Sequence, residues 1–169
     1  KLIYADHHLS HSLTALSYSN HKKDLCSVVV DGFGDRSTAS ISQIVDSTEI
    51  NELWECPYPV SLGLFYSSIT DYLGFAINEG EYKVMGLASF GDSKSKSANL
   101  VRGLMDWDSS SNEMISDMSY FDYHLSTSNS FSSKLEDLLG PARNPFVQLN
   151  SGNSDFQRCA DIARGAQDL

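Results

Sequence analysis

A chain of 169 residues with a formal net charge of −10 sets aside two large classes at the outset. Surfaces built for nucleic acid or anionic lipid need clustered basic residues, and here 12 Lys and Arg face 22 Asp and Glu. The 41% apolar content suits a globular domain with a real core, and no apolar run approaches the ~20 residues of a membrane helix.

The opening residues 1–6 read as a short strand. Leu9, Leu13 and Leu16 then recur at helical spacing, which predicts a helix over 9–19 with His7 and His11 one turn apart at its start. "LCSVVV" (25–30) is a continuous apolar run and predicts a buried central strand that stops at "DGFGD". "STASISQIVD" predicts a second strand, joined to the first by a glycine turn, and "EINELWECP" a third. "SLGLFYSSITDYLGF" places Leu62, Phe65, Ile69 and Leu73 on one stripe, with Ser61 as N-cap. "GEYKVMGLASFGD" predicts a short helix or loop framed by glycines, and residues 92–98 and 108–113 read as polar loops. "MISDMSYFDYHLS" fits a strand, and "SSKLEDLLG" a short helix ending at Gly140 before Pro141. "DFQRCADIARGAQDL" predicts a helix capped by Asn153 or Ser154. The order is mixed α/β with an antiparallel start.

Cys26, Cys56 and Cys159 are odd in number and lack CxxC spacing, so reduced thiols of a cytoplasmic protein are expected. The chain opens at Lys1 and closes on a helical pattern, which leads us to expect a segment of a longer protein.

Three stretches can carry chemistry. Five histidines in all, three of them within "HHLSH", make a dense imidazole patch. An HxxxH pair on a helix turn converges two nitrogens on one ion, although a polar helix start serves the same spacing. Asp31 ends an apolar run before Gly32, where it is either a site carboxylate or part of a hairpin turn. In the second case only the glycine matters; in the first, backbone N–H groups near Gly32 and Gly34 face an anion. Glu81 and Lys83 sit between glycines in a partly apolar stretch, where a lysine wants an anionic partner, either Glu81 or a substrate.

"HHLSH", "VVVDGFGD" and "SLGLFYSSITDYLGF…GEYKVMGLASFGD", in that order, resemble the N-terminal part of the NodU/CmcH-type carbamoyltransferases. "GPARNP" and "ADIARGAQ" resemble the segments that follow. The resemblance implies an actin-like ATPase (ribonuclease-H-like) domain, spanning 1–169 in part, with a mixed sheet and flanking helices. It implies O-carbamoyl transfer from carbamoyl phosphate and ATP, through a carbamoyl-adenylate, to a hydroxylated sugar-like or antibiotic acceptor. A second, adenylate-forming domain follows in full-length members. The family's divalent metal, iron by expectation, maps onto His7, His11 and Asp31, with a further aspartate beyond Leu169. His8, Lys83 and Asp122 become candidates for catalysis, and Gly32, Gly34, Glu81 and Lys83 for substrate contact. Ser12, Asp35 and the pair Ser89-Phe90 depart from the family pattern, and none is expected to touch a proposed ligand. Two alternatives stand beside this reading: a non-catalytic nucleotide-binding module of the same fold, and a relative of the tRNA threonylcarbamoyl-adenosine enzymes.

Overall fold

Asp6 starts the first helix by accepting the Leu9 N–H on its carboxylate (2.9 Å), a side-chain cap on the third helical residue. In the computed structural model, which describes residues 2, 4–21, 23–46 and 49–169, this cap begins α1 (His7–Tyr18) two residues before the leucine spacing predicts. The described residues of the opening stretch, 2 and 4–6, form no strand; Lys1 and Ile3, on which the rest of that expectation falls, lie outside the described residues.

The chain divides into two units, 1–64 and 65–169. In the first, β1 (Leu25–Gly34), β2 (Ser37–Ile44) and β3 (Ile50–Pro57) form an antiparallel meander in the order β1-β2-β3. Helix α1 packs on β1 and β2. Its buried stripe is His8, Ser12 and Leu16; of the expected leucines only Leu16 lies on it, while Leu9 and Leu13 remain 38% and 41% exposed. The helix turns its polar side inward because partners await it there. Ser27 of β1 donates to the Ser12 hydroxyl (2.8 Å), and His8 Nδ1 pairs with Ser40 Oγ of β2 (2.9 Å).

The expectation of a buried central strand at 25–30 is corrected. The central strand is β2, and β1 is an edge among the described strands. Val28 and Val30 are 64% and 55% exposed, while Val29 between them is buried, as the two-residue period of a strand with one covered face requires. Nor does β1 stop at Asp31. It runs on to Gly34, and the turn falls at Asp35 and Arg36, with Asp35 in the left-handed region (φ 53°). Val30 faces Ala39 and Gly34 faces Ser37, so four steps on β1 match two on β2. That bulge contains Asp31.

Helix α2 (Leu62–Tyr72) begins in the first unit, capped as expected by Ser61, whose Oγ accepts the Leu64 N–H (3.0 Å). The second unit continues with α3 (Glu81–Ala88), α4 (Lys96–Arg102), the hairpin β4 (Met105–Asp108) and β5 (Glu113–Ser116), α5 (Ser133–Leu139) and α6 (Phe156–Gln167). Its core gathers Phe65, Ile69, Tyr72, Val84, Val101, Phe121, Leu135 and Ile162, all nearly inaccessible. α6 is buried almost all round against α3 and α4, which its alanines permit.

Of the two expected loops in this unit, 92–98 holds as far as Ser95 and gives way to α4, and 108–113 holds as a hairpin tip. Ser95 caps α4 by accepting from Ala98 N–H, and Ala98 and Val101 are buried, so tertiary packing overrides the local polarity. Residues 109–112 are the tip between β4 and β5. The strand expected near 114–126 is only β5, followed by a 3-10 turn at Met118–Tyr120 and a single bridge between Phe121 and Phe131. Asp155, not Asn153 or Ser154, occupies the N-cap position of α6 and makes no side-chain cap bond; Asn153 accepts the Asp155 N–H two residues earlier (2.8 Å). The class is mixed α/β, but the named strands pair antiparallel throughout, so no mixed sheet forms among the described residues.

Candidate metal centre

The bulge in β1 aims Asp31 at the exposed edge of α1. Asp31 Oδ2 lies 2.7 Å from His7 Nε2 and 3.3 Å from His11 Nε2, and the two imidazole nitrogens are 3.1 Å apart. Among the described residues these three form a group whose donor atoms could hold one ion. Donors held about 2.1 Å from one ion stand roughly 2.9–3.4 Å from one another, so two edges of the triangle already have the required length and the 2.7 Å edge is slightly short. Two imidazole nitrogens and one carboxylate on one side of a site suit a divalent transition metal such as iron, with coordination positions left over.

The surroundings hold this geometry. Burial pushes the Asp31 carboxyl up, but the His7 hydrogen bond, the Gly32 N–H (2.6 Å) and the nearby imidazoles outweigh it and keep the group below the usual carboxylate range. From below, Ser61 Oγ donates to the Gly32 carbonyl (2.8 Å), and Gly63 lies so close that a Cβ there would stand 2.7 Å from the Asp31 carbonyl. The first turn of α2 therefore presses directly on the backbone that carries the carboxylate. Against the expectation that it touches no proposed ligand, Asp35 accepts the His7 backbone N–H (3.0 Å), because the turn it heads lies against the start of α1.

His8 does not join the cluster. It is 6% exposed beneath α1, its Nδ1 is taken by Ser40, and its Nε2 finds no hydrogen-bond partner among the described residues. Gly32 and Gly34 are strand residues rather than an open loop, and the Gly32 N–H is engaged by its neighbour's carboxylate.

Glu81, Lys83 and Asp122 belong to the second unit. Glu81 is the first residue of α3. Burial pushes its carboxyl up, but the N–H of Asn78 (2.9 Å), its own N–H, the Ser67 hydroxyl (3.2 Å) and the Gly80 N–H (3.1 Å) outweigh that and hold it low. It is a helix cap, not the partner of Lys83. Lys83 makes no ion pair among the described residues; its Nζ lies 5.9 Å from the Phe75 ring centroid. Arg143 lies over the same ring at 4.8 Å and donates to the carbonyls of Leu73, Gly74 (2.8 Å) and Val147 (2.7 Å). Both cations line a cleft of about 500 Å³ with Phe75, Phe90 and Phe156. Arg143 was not singled out from the sequence; its only signal is its place in "GPARNP". Asp122 is partly exposed at the head of a turn, where its carbonyl accepts the N–H groups of Leu125 and Ser126 (both 2.8 Å).

By itself the structure defines a mixed α/β chain with a two-histidine, one-carboxylate cluster in its first unit. The chain belongs to the carbamoyltransferase N-terminus family, whose model matches residues 1–162. It is 33% identical over 167 residues, 98% of its length, to an uncharacterized protein of Synechocystis. It is 38% identical over 92 residues (54% of the chain) to nodulation protein NolNO of Sinorhizobium fredii, and 38% over 87 residues (52%) to nodulation protein NolO of Bradyrhizobium diazoefficiens. These matches span 25%, 13% and 15% of the respective relatives, so the matched stretches cover a quarter of their length or less. No helix among the described residues is long and apolar enough to cross a membrane.

Proposed function

We propose that the chain is the metal-bearing segment of an O-carbamoyltransferase that passes a carbamoyl group, activated from carbamoyl phosphate and ATP, to the hydroxyl of a small acceptor. The observation that carries this is the donor triangle of His7, His11 and Asp31 in a member of the carbamoyltransferase family. An iron-like divalent ion, once bound, polarises a carbonyl or phosphoryl oxygen. The chain's own residues do the rest. His7 and His11 present ring nitrogens, and Asp31, its carboxyl held low, supplies the negative charge that favours a cation. We assign His8 to holding α1 on β2 rather than to contact with substrate.

In the second unit, the Lys83 ammonium beside Arg143 and the Phe75 ring offers charge to a phosphate-bearing co-substrate and a face to an aromatic base. Glu81 serves this cleft indirectly, by starting the helix from which Lys83 projects. We further read the antiparallel sheet with α1 on one face as the opening part of an actin-like domain, whose sheet grows along the open edge of β1. An adenylate-forming domain elsewhere in the full-length polypeptide and a cytoplasmic setting, with no disulfide among the described residues, belong to the same reading.

The test is made on the full-length, metal-loaded protein. Given carbamoyl phosphate and ATP it should release pyrophosphate, and His7→Ala or His11→Ala should abolish carbamoyl transfer while the circular dichroism spectrum stays that of the parent. Absence of pyrophosphate from properly metallated protein would refute the enzymatic reading. It would leave the nucleotide-binding alternative, to be recognised by ATP binding without turnover.

A further inference from the structure

Gly34 and Asp35 follow Asp31 in the sequence, yet they face the histidine helix rather than the carboxylate. A Cβ built on Gly34 would collide with the His7 ring at Cδ2, and would stand 2.9 Å from His8 Cδ2 and 3.0 Å from His7 Cγ. Real Cβ atoms do not approach carbon that closely, so any side chain at 34 displaces one ring or both. The His8 ring is boxed in by burial and by Ser40. The His7 ring, 40% exposed, is the one free to swing away, and it carries a donor atom.

The next residue acts on the same histidine from the backbone side. Asp35 adopts φ 53° at the head of the β1–β2 turn, a conformation Asp and Asn tolerate better than most residues. That conformation brings its carboxylate to the His7 N–H at 3.0 Å, one of the helix-start donors that has no partner inside α1. Asp6 caps Leu9 from the other side, so the first turn of α1 is held by two carboxylates.

We propose that the Gly34–Asp35 turn is the positioning device of the donor cluster: Gly34 provides the space into which the His7 ring turns, and Asp35 fixes the backbone from which that ring projects. Neither residue is a ligand. The inference rests on the metal reading of His7, His11 and Asp31, and it accounts for a glycine at 34 without any contact to substrate. The sheet does not depend on either feature, since β1 and β2 pair fully from Leu25 to Val30. Damage to the turn should therefore be read in the site before it is read in the fold.

The experiment titrates Co(II) into the purified protein and follows the visible ligand-field bands, whose intensity reports coordination geometry. Gly34→Ala and Asp35→Gly should each weaken Co(II) binding tenfold or more and change the band shape, with the circular dichroism spectrum unchanged. Asp35→Asn, which keeps an acceptor and tolerates the left-handed backbone, should restore binding to within about threefold. Gly86→Ala, where an added Cβ meets nothing within 4 Å, is the control and should bind as the parent does. In parallel, the imidazole resonances of His7 in metal-free protein should move in Gly34→Ala and stay put in Gly86→Ala. Parent-like Co(II) binding by Gly34→Ala and Asp35→Gly overturns the positioning inference. A parent protein that binds no Co(II) instead overturns the metal reading. In that case the metal-free imidazole resonances still decide the positioning claim, which fails if they do not move.

Discussion

Of the carboxylates whose pKa values are lowered, Asp31 and Glu81 are held down for different reasons, and they predict different behaviour. Asp31 is kept ionised by a histidine and its neighbour's N–H, Glu81 by backbone and hydroxyl donors at a helix start. In both, the folded-state value lies below the unfolded one. Their contribution to stability is therefore present above the ordinary carboxylate range and is lost as pH falls through the folded value. Glu81→Gln should lower stability by about 1 kcal/mol near neutral pH, because it weakens a cap that three N–H groups share. The difference from the parent should vanish in strong acid. Urea unfolding at both pH values checks this, and an equal deficit at every pH would show that Glu81 acts through packing alone. Asp31→Asn should likewise flatten the acid limb, and it should remove Co(II) binding as well, which Glu81→Gln should not.

At the scale of elements, α1 shows how hydrogen bonding decides helix rotation. Its leucines mark a stripe that the helix does not bury; His8 and Ser12 go inward because Ser40 and Ser27 meet them. Leu16 is the only leucine on the inward face. Leu16→Ala should destabilise the protein by about 2–4 kcal/mol, and Leu13→Ala by less than about 1 kcal/mol. Thermal or urea denaturation of the two variants separates them, and equal losses would contradict this rotation. The rotation has a functional result. With 8, 12 and 16 inward, positions 7 and 11 fall on the adjoining edge, where Asp31 can reach them.

For the molecule as a whole, the two units carry different candidate chemistry: metal donors in residues 1–64, and the paired cations of Lys83 and Arg143 in residues 65–169. Ligands should accordingly protect different parts of the chain. Hydrogen exchange with Co(II) should slow in α1 and the second half of β1, and exchange with ATP or carbamoyl phosphate in α3 and residues 143–149. Saturation at a hundred times Kd adds about 2.7 kcal/mol to the stability of whatever binds the metal. Protection by Co(II) confined to the second unit would remove the basis for the metal centre.

Much of this was legible in the sequence wherever the information is local. The apolar period marks α1, α2, α5 and α6, the residue types mark β2 and β3, and HxxxH sets two imidazoles one turn apart. These depend on neighbours within about four residues, which the sequence states directly. The tertiary structure decided what depends on distant partners. Among the described residues it made β1 an edge rather than a centre, ordered α4 through the burial of Ala98 and Val101, and turned Glu81 into a cap that leaves Lys83 without an acid. It also brought Asp31 within 2.7 Å of a histidine 24 positions earlier. A bulge and a strand register exist only once strands have paired, so no local pattern could announce the convergence of a helix edge and a strand on one point.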